Sequence, residues 1–256
     1  LRTAAGTAGF LAAMPYLNAA EALTDARPLK VGLVGCGGRG LGAMKNALDA
    51  DPGTMVWALA DVFQERIDFG AKLLAEQYGN RAQLDRSRLF SGLDSYKRLL
   101  QTDIDVVLLC TPPAFRPEHL AAAIDASKHI YAEKPVAVDV PGVLSVLESA
   151  RLAKLKNLVI LDGFCWRYDK ANEEAHRKLS SGLLGRVLSF DGLYYTTPPK
   201  SPLALDSRPS SDTDVAWALR NWTAWNWLSG GQFVEQIVHT IDGMVWSMNE
   251  QLPLAA

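Results

Sequence analysis

Val31-Gly32-Leu33-Val34 runs directly into Gly35-Cys36-Gly37-Gly38-Arg39-Gly40, and this junction decides the fold. The apolar run predicts a buried strand, and the glycines predict a sharp turn into a helix. In such a turn Gly35 permits the tight bend, Gly37 lets the backbone approach a pyrophosphate, and Gly40 lets the helix pack closely on the strand. Because glycine-rich turns are common, a plain strand–helix bend is the alternative interpretation.

A second apolar run ends on an acidic residue. Residues 54–60 predict another buried strand, and Asp61 follows it directly. A carboxylate at this place accepts ribose hydroxyls and repels a 2′-phosphate, which favours NAD over NADP. Arg39 or Arg66 could pair with that phosphate, so NADP stays possible. The alternative role for Asp61 is a cap on the helix that begins near Val62.

Composition limits the class of protein. The chain has 256 residues, 48% of them hydrophobic and 21% charged, which fits one large or two modest globular domains. With 26 basic and 28 acidic residues, the net charge is −2, and nothing indicates a nucleic-acid or anionic-lipid partner. The three cysteines (Cys36, Cys110 and Cys165) lack metal-ligand spacing, so we expect small buried side chains at strand ends and no metal.

The first 28 residues resemble an export signal rather than part of a fold. A mildly apolar stretch, residues 3–14, is closed by Pro15 and followed by small residues around Ala20. It is shorter than the roughly 20 residues that span a bilayer. Its low hydrophobicity suits the twin-arginine route, although the arginine pair is not present, and predicts a periplasmic protein. A disordered extension of a cytoplasmic protein is the alternative.

Strand-like and helix-like segments alternate over residues 29–155, which predicts a doubly wound parallel sheet, the Rossmann arrangement. Residues 156–256 predict a second domain that is C-terminally incomplete and would serve substrate binding and oligomerisation. The predicted strands are 29–34, 54–60, 104–110 and 129–132, and the predicted helices are 38–50, 62–78, 93–101, 114–127 and 140–155. In the second domain a helix is predicted at 169–181, a strand at 186–195, a loop at 196–214 and a helix at 231–248.

Two segments carry residues suited to catalysis. Glu133-Lys134-Pro135 follows a predicted strand, so Lys134 lies at the carboxyl edge of the sheet, where it would hydrogen-bond a substrate hydroxyl. On the last predicted helix, Glu235, His239 and Asp242 lie at i, i+4 and i+7 on one face. That spacing fits a histidine base oriented by a carboxylate one turn away. A surface Lys–Glu turn and a solvated helix face are the alternatives.

Together these segments resemble the Gfo/Idh/MocA family, the glucose–fructose oxidoreductase and inositol dehydrogenase family. The likeness runs in order over about residues 29–248, and the signal-like start with the tryptophan-rich segment 222–231 is similar to its exported bacterial branch. The motifs are the glycine turn at 35–40, Thr111-Pro112-Pro113, Glu133-Lys134-Pro135, Gly163-Phe164 with Arg167-Tyr168, and the Gly-Gly…His239…Asp242 helix.

The resemblance implies a Rossmann domain, a second domain with an open, mainly antiparallel sheet, and assembly into homo-oligomers through that sheet. It also places Lys134 on the family's catalytic lysine and His239 on the histidine of an Asp-x-x-x-His pair. Here Glu235 stands where the family usually has Asp, which puts the alignment of His239 or substrate in doubt. The residues predicted to bind NAD (or NADP) are Gly35, Cys36, Gly37, Gly38, Arg39, Gly40, Asp61, Thr111, Pro112, Glu133 and Lys134.

The function predicted from these features is an NAD(P)-dependent oxidoreductase that acts on a secondary hydroxyl of a sugar, cyclitol or polyol. Its predicted catalytic residues are Lys134, His239 and Glu235. Predicted substrate contacts are Lys134, Arg167, Tyr168, Trp227, Asp242 and His239, with the other tryptophans at 217, 222 and 225 as candidates for the wall of the site or for packing. Two other functions remain open: an NAD-dependent glycoside hydrolase, and a non-catalytic dinucleotide-binding protein.

Overall fold

The computed structural model describes residues 27–196 and 202–250. The export signal predicted within residues 1–28 therefore lies almost entirely outside the described residues. Within them, no helix is long and apolar enough to cross a membrane. No group of three or more His, Cys, Asp or Glu side chains in this part of the chain is arranged to hold a metal ion.

The centre of the molecule is one six-stranded parallel sheet. Its strand order is β3-β2-β1-β4-β5-β6, and every adjacent pair is parallel. This is the strand order of a doubly wound dinucleotide-binding fold, so the predicted fold class of this part is confirmed. The strands are β1 (Leu29–Val34), β2 (Thr54–Asp61), β3 (Leu89–Ser91), β4 (Val106–Leu109), β5 (His129–Ala132) and β6 (Ile160–Asp162).

Five helices connect these strands, as the alternating pattern predicts. They are α1 (Gly38–Ala50), α2 (Gln64–Tyr78), α3 (Ser95–Leu100), α4 (Arg116–Asp125) and α5 (Val140–Leu155). Two separate apolar clusters form the core, one centred on Met44, Leu59 and Ile67, the other on Leu99, Val107 and Leu120. The bounds of β1, α1, β5 and α5 are those predicted.

The sequence patterns do not predict the two outermost strands of the sheet. Strands β3 and β6 have three residues each, too few to show an alternating pattern, and neither was among the predicted strands. Because β6 pairs with β5 through Ile130 and Ile160, the parallel sheet extends a few residues past the predicted domain boundary at residue 155.

The rest of the described chain is helical or irregular. It contains α6 (Lys170–Ser180), α7 (Asp214–Arg220), α8 (Asn226–Ser229), a π-helical turn (Phe233–Ile237) and α9 (Val238–Ser247). The strand predicted at 186–195 is wrong: the segment has no ladder partner among the described residues, and its Leu188 is 80% exposed. An isolated strand leaves its backbone N–H and C=O groups unpaired, so an apolar run alone does not make one. The predicted antiparallel sheet is therefore not formed by the described residues.

Candidate active site

A groove opens where the strand order reverses, between the carboxyl ends of β1 and β4. Ligands of open α/β sheets bind at this switch point. The groove has a cavity volume of about 190 Å³, and we name it the glycine groove after the turn that forms its floor. Its other walls come from the end of β2, the loop after β4 with the first turn of α4, and α7 with the turn that follows. They include Asp61, Phe63, Thr111, Pro112, His119, Leu219 and Trp222.

Two glycines of the turn are required by close backbone contacts. Gly35 has a φ of +99°, and a Cβ there would lie 2.7 Å from the carbonyl oxygen of Cys110. A Cβ on Gly40 would lie 1.9 Å from the carbonyl oxygen of Gly35. Any side chain at either position would push α1 away from the sheet, because both neighbours are backbone atoms. These contacts agree with the tight bend and close helix packing predicted from the pattern.

The next two glycines border open space instead. A Cβ built on Gly37 or Gly38 meets nothing within 4 Å. Gly37 is the N-cap of α1 and no side chain caps this helix, so the N–H groups of its first turn are available to an anion. The space, the free donors and the positive end of the helix fit the pyrophosphate of a dinucleotide.

Asp61 ends β2 inside the same groove and is 6% exposed. Its Oδ2 accepts a hydrogen bond from the Cys36 N–H at 2.7 Å, and its Oδ1 accepts one from the Phe63 N–H at 3.0 Å. Burial raises the pKa of this carboxyl, while the bonds from Phe63 and Cys36 oppose the rise. The carboxylate retains lone pairs for a ribose hydroxyl. Cys36 is a predicted cofactor contact, but its backbone N–H donates to Asp61 instead.

Residues far along the chain cover the groove. Leu219 and Leu228 pack with Phe63 in a small apolar cluster, and Leu219 lines the groove itself. The Arg220 guanidinium lies 3.9 Å from the centre of the Phe63 ring and donates to Glu65 of α2 at 2.7 Å. This contact fastens α7 over the groove, and the sequence patterns gave no sign of it.

Arg39 and Glu133, both predicted to touch the cofactor, are bonded to each other. Arg39 Nε donates to Glu133 Oε1 at 2.6 Å, and Arg39 Nη2 donates to the Tyr131 hydroxyl at 3.1 Å. Tyr131 in turn donates to Glu133 at 2.8 Å. Arg39 therefore forms an ion pair with Glu133. Arg66, the other arginine that lines the groove, has no ion pair among the described residues.

A second cavity adjoins the groove and contains the predicted catalytic residues. It has a cavity volume of about 500 Å³, and we name it the lysine pocket. Lys134 reaches it from the end of β5, while Glu235 and His239 reach it from the π-helical turn and α9. The pocket and the groove are contiguous because they share four lining residues, Arg39, Cys110, Thr111 and Trp222.

Lys134 and Glu235 meet across this pocket. Lys134 Nζ donates to the main-chain carbonyl of Glu235, and its distance to the Glu235 carboxylate Oε2 is 3.9 Å. The other carboxylate oxygen, Oε1, is buried without a hydrogen-bond partner. Burial raises the pKa of Glu235, whereas the positive charge of Lys134 opposes the rise. An ammonium has three donors, so Lys134 can still bond a ligand oxygen.

His239 lies between aromatic rings and is 8% exposed. Its ring stacks on Trp166 with centroids 4.9 Å apart and on Tyr194 at 6.1 Å. Burial, together with the charge of Lys134, lowers the pKa of His239 below its ordinary value of 6.5, so the imidazole is neutral at pH 7. Its Nδ1 is buried without a partner.

The carboxylate predicted to orient His239 does not do so in this structure. Glu235 faces Lys134, and Asp242 accepts bonds of 2.7 and 2.9 Å from the guanidinium of Arg167. The prediction assumed a regular α-helix from 231 to 248. The π-helical turn at 233–237 changes the rotation per residue, and Glu235 contacts Lys134 although it lines the same pocket as His239.

Three other predicted substrate contacts lie outside the lysine pocket. Arg167 is engaged with Asp242 and with Glu250 at 2.6 Å. Tyr168 lines a neighbouring cavity that shares Gly163 with the pocket, and Trp227 is 54% exposed and lines neither the groove nor the pocket. The tryptophan that lines both the pocket and the groove is Trp222. Sequence alone could not separate the tryptophans, since all four lie in one short helical stretch.

The sequence patterns do not identify two buried polar residues near the site, and they predict the wrong exposure for one cysteine. Arg116, which lines the lysine pocket, is 2% exposed, and His119, which lines the groove, is 5% exposed. Both follow the Thr111-Pro112-Pro113 loop on α4, and the proximity of that loop to the site was the available signal. Cys165 is exposed rather than buried, because it begins a short 3-10 helix beyond the sheet.

Comparison with known proteins agrees with this geometry. The sequence profile of GFO_IDH_MocA, described as an oxidoreductase family with an NAD-binding Rossmann fold, matches residues 29–161. A dTDP-3,4-didehydro-2,6-dideoxy-alpha-D-glucose 3-reductase from Actinomadura kijaniata is 28% identical over 177 residues, 69% of this chain and 48% of the reductase. Glycosyl hydrolase family 109 protein 1 from Bacteroides fragilis (strain YCH46) is 27% identical over 168 residues, 65% of this chain and 34% of that protein.

Solved structures show the same fold. The scyllo-inositol dehydrogenase from Lactobacillus casei, crystallised with NAD(H) and scyllo-inositol, superposes with a TM-score of 0.61 at 22% identity. The superposition covers 86% of this chain and 56% of the dehydrogenase. This chain therefore spans about half the length of the reductase and the dehydrogenase, and about a third of the length of the hydrolase.

Proposed function

Because this chain belongs to the Gfo/Idh/MocA family of oxidoreductases, we propose that it oxidises a secondary hydroxyl of a sugar, cyclitol or polyol with NAD, or carries out the reverse reduction. The observation that carries the proposal is the shared wall between the glycine groove and the lysine pocket. A dinucleotide bound along the groove would have one end beside Thr111 and Trp222, which border the pocket of Lys134 and His239.

The residues of the groove fit the dinucleotide. The first turn of α1 at Gly37 and Gly38 would hold the pyrophosphate, and Asp61 would accept ribose hydroxyls. When bound, the nicotinamide supplies the redox chemistry by exchanging a hydride with the carbinol carbon of the substrate.

Two side chains of the protein transfer the proton of the substrate hydroxyl and bind its oxygen. In the direction of oxidation, the neutral His239 accepts the hydroxyl proton, and Lys134 donates a hydrogen bond to the oxygen as it becomes a carbonyl. Trp222 lies where the groove and the pocket meet, so it would help to exclude water from the reacting atoms. In the direction of reduction, His239 returns the proton.

The preference for NAD follows from the charges around the 2′-position of the ribose. The buried carboxylate of Asp61 disfavours a 2′-phosphate, and Arg39 is already paired with Glu133. Arg66 lines the groove and would be the partner of a 2′-phosphate if NADP is accepted.

The direct test measures nicotinamide reduction by absorbance across a panel of cyclitols, sugars and polyols, with NAD and NADP in parallel. Lys134→Met should abolish turnover on the best substrate. Lys128→Met is a matched control, because Lys128 also bonds main-chain carbonyls, those of Thr102 and Ile104, but lies away from the pocket. Equal turnover in Lys134→Met and in the unsubstituted protein would remove Lys134 from the mechanism.

Glycoside hydrolysis is the second candidate, favoured by the similarity to the family 109 hydrolase. Release of nitrophenol from aryl glycosides, without net reduction of added NAD, would select it over the dehydrogenase. Tight NAD binding with no turnover of either kind would instead indicate a non-catalytic dinucleotide-binding protein.

We also propose that the protein is exported to the periplasm. The support is the composition of residues 1–28, an arginine, a mildly apolar run and small residues before the first strand. Cell fractionation of a tagged full-length protein tests this proposal, and retention in the cytoplasm would overturn it.

Self-association is a further proposal, carried by the family resemblance. Light scattering coupled to size exclusion, on the full-length protein, distinguishes an oligomer from a monomer.

A further inference from the structure

Arg116 is the most buried cation of the molecule's described part and belongs to no ion pair there. Its guanidinium instead donates to three main-chain carbonyls. Nε donates to Pro135 at 3.0 Å, Nη1 to Leu109 at 2.6 Å and Nη2 to Thr111 at 2.8 Å. No side-chain carboxylate accepts a hydrogen bond from it.

This placement is unfavourable for a residue that only fills the core. Burial lowers the pKa of Arg116, because the charged form loses its hydration. Arg116 is also the first residue of α4, where the helix dipole favours an anion over a cation. Apolar side chains of similar volume often stabilise a core as well as buried charges do, so the core does not require a cation here.

The three carbonyls belong to segments that the proposed reaction needs at a fixed separation. Leu109 ends β4, and Thr111 lies two residues on in the wall of the glycine groove. Pro135 directly follows Lys134 of the lysine pocket. One rigid, planar group therefore ties the wall of the cofactor site to the segment that carries the lysine.

We propose that Arg116 is a positioning residue, which holds the Thr111 loop and the Lys134 segment at the separation that hydride and proton transfer require. The inference rests on the proposed function, since the separation matters only if a cofactor and Lys134 act on one substrate. A displacement of about 1 Å in such geometry costs on the order of 100-fold in rate.

The test replaces Arg116 by Met in the full chain and compares it with Arg81→Met. Arg81 is a matched control, because its guanidinium also donates to main-chain carbonyls, those of Leu48 and Asp51, at a place remote from both cavities. Arg116→Met should lower kcat roughly 100-fold and leave the KM for substrate unchanged. Its deuterium isotope effect on kcat should rise, since chemistry becomes rate-limiting. Arg81→Met should lower the Tm without changing kcat.

A readout without turnover separates this inference from the proposed function. NADH should still bind Arg116→Met, because the glycine turn and Asp61 are untouched, but the fluorescence anisotropy of its nicotinamide should fall as the Thr111 loop loosens. If the unsubstituted protein turns over no substrate, the proposed function fails while the anisotropy still tests Arg116. Unchanged anisotropy and unchanged kcat in Arg116→Met would overturn the inference.

Two further variants cover a failure of Arg116→Met to fold. Arg116→Lys keeps the charge and the apolar stem but cannot reach three carbonyls in one plane, so it should fold and still show the loss of kcat. Arg116→Ala should recover part of its kcat when guanidinium chloride is added at millimolar concentration, whereas sodium chloride should give no recovery. Full activity in Arg116→Lys would show that only the buried positive charge is needed, and it would overturn the positioning role of the guanidinium.

Discussion

The glycine groove and the lysine pocket share a wall but are built by different means. The groove relies on backbone: a turn at Gly35, the free end of α1 at Gly37, and a carboxylate, Asp61, whose two oxygens already accept main-chain bonds. The pocket relies on side chains, and two of its buried polar atoms, Oε1 of Glu235 and Nδ1 of His239, have no hydrogen-bond partner.

The difference also concerns distance along the chain. The turn and Asp61 lie within one strand–helix–strand unit, whereas the bond from Lys134 to Glu235 joins residues 101 positions apart. The strand–helix–strand unit of the groove is specified by the sequence of its own residues. The pocket depends instead on how α9 and the π-helical turn pack against the sheet. We therefore expect substitutions in the groove to act on binding or folding, and substitutions in the pocket to act on rate.

After Lys134→Met, the largest effect is expected at His239. His239→Ala should reduce kcat/KM by about 10²–10⁴, the usual contribution of a positioned acid or base. Because burial lowers the pKa of His239, the unsubstituted protein should keep its activity near pH 7 and lose it on acidification, with an apparent pKa below 6.5. The variant should lack this acidic limb in its pH–rate profile.

His176→Ala is the matched control for that experiment. His176 also stacks on a tryptophan, with 4.2 Å between its ring centroid and that of Trp246, but it lies outside both cavities. An acidic limb that persists in His239→Ala would show that another group accepts the proton, with the pocket-lining carboxylate of Glu235 as a candidate.

The next effect concerns folding of the groove. Gly40→Ala should lower the free energy of unfolding by about 3 kcal/mol, the upper end for overpacking, because the new Cβ would lie 1.9 Å from a backbone oxygen. Gly37→Ala should leave stability within roughly 0.5 kcal/mol, since its Cβ meets nothing, yet it should weaken NAD binding. Chemical denaturation and NAD titration of both variants measure the contrast. Equal stability in the two variants would contradict the close packing of α1 on β1.

A smaller effect is expected for the ribose contact. Asp61→Ser should weaken NAD binding by about 1.5–3 kcal/mol, the contribution of hydrogen bonds to a charged group, and should reduce the preference for NAD over NADP. Asp51→Ser serves as control, because Asp51 accepts comparable bonds from the Gly53 N–H and the Thr54 hydroxyl outside the groove. Isothermal titration with both nucleotides provides the measurement. Unchanged NAD affinity would show that Asp61 only stabilises the backbone of the turn and does not contact the ribose.

The last prediction concerns the pH dependence of stability. His119 is stacked on Phe115 in the wall of the groove, and burial, aided by the charge of Arg116, lowers the pKa of His119 to about 3. The folded protein therefore resists protonation that the unfolded chain accepts near pH 6.5. Stability due to this residue is present above pH 6.5 and is lost as the pH falls toward 3, by up to about 1.4 kcal/mol per pH unit. Urea unfolding of His119→Gln should show a shallower loss over this range; parallel curves would refute the assignment.

The sequence patterns succeed where a residue's role depends on its immediate neighbours. The bounds of β1, α1 and α5 are as predicted, and the backbone contacts of Gly35 and Gly40 agree with the pattern. Prediction fails for elements that need a distant partner: the apolar segment 186–195 forms no strand because nothing among the described residues pairs with it. The helical wheel brings Glu235 and His239 to one pocket, but it does not show that Glu235 contacts Lys134, since a π-helical turn is not visible in spacing.

What the sequence determined by itself is the parallel sheet, the glycine turn and the delivery of Lys134 to the sheet edge, because hydrophobic period and glycine sterics act over a few residues. Only the tertiary structure decided which polar groups meet: Arg39 with Glu133, Arg167 with Asp242, and Arg116 with the carbonyls on both sides of the site. Such partners are chosen by burial, since a charged group removed from water must bond whatever the folded chain brings within reach.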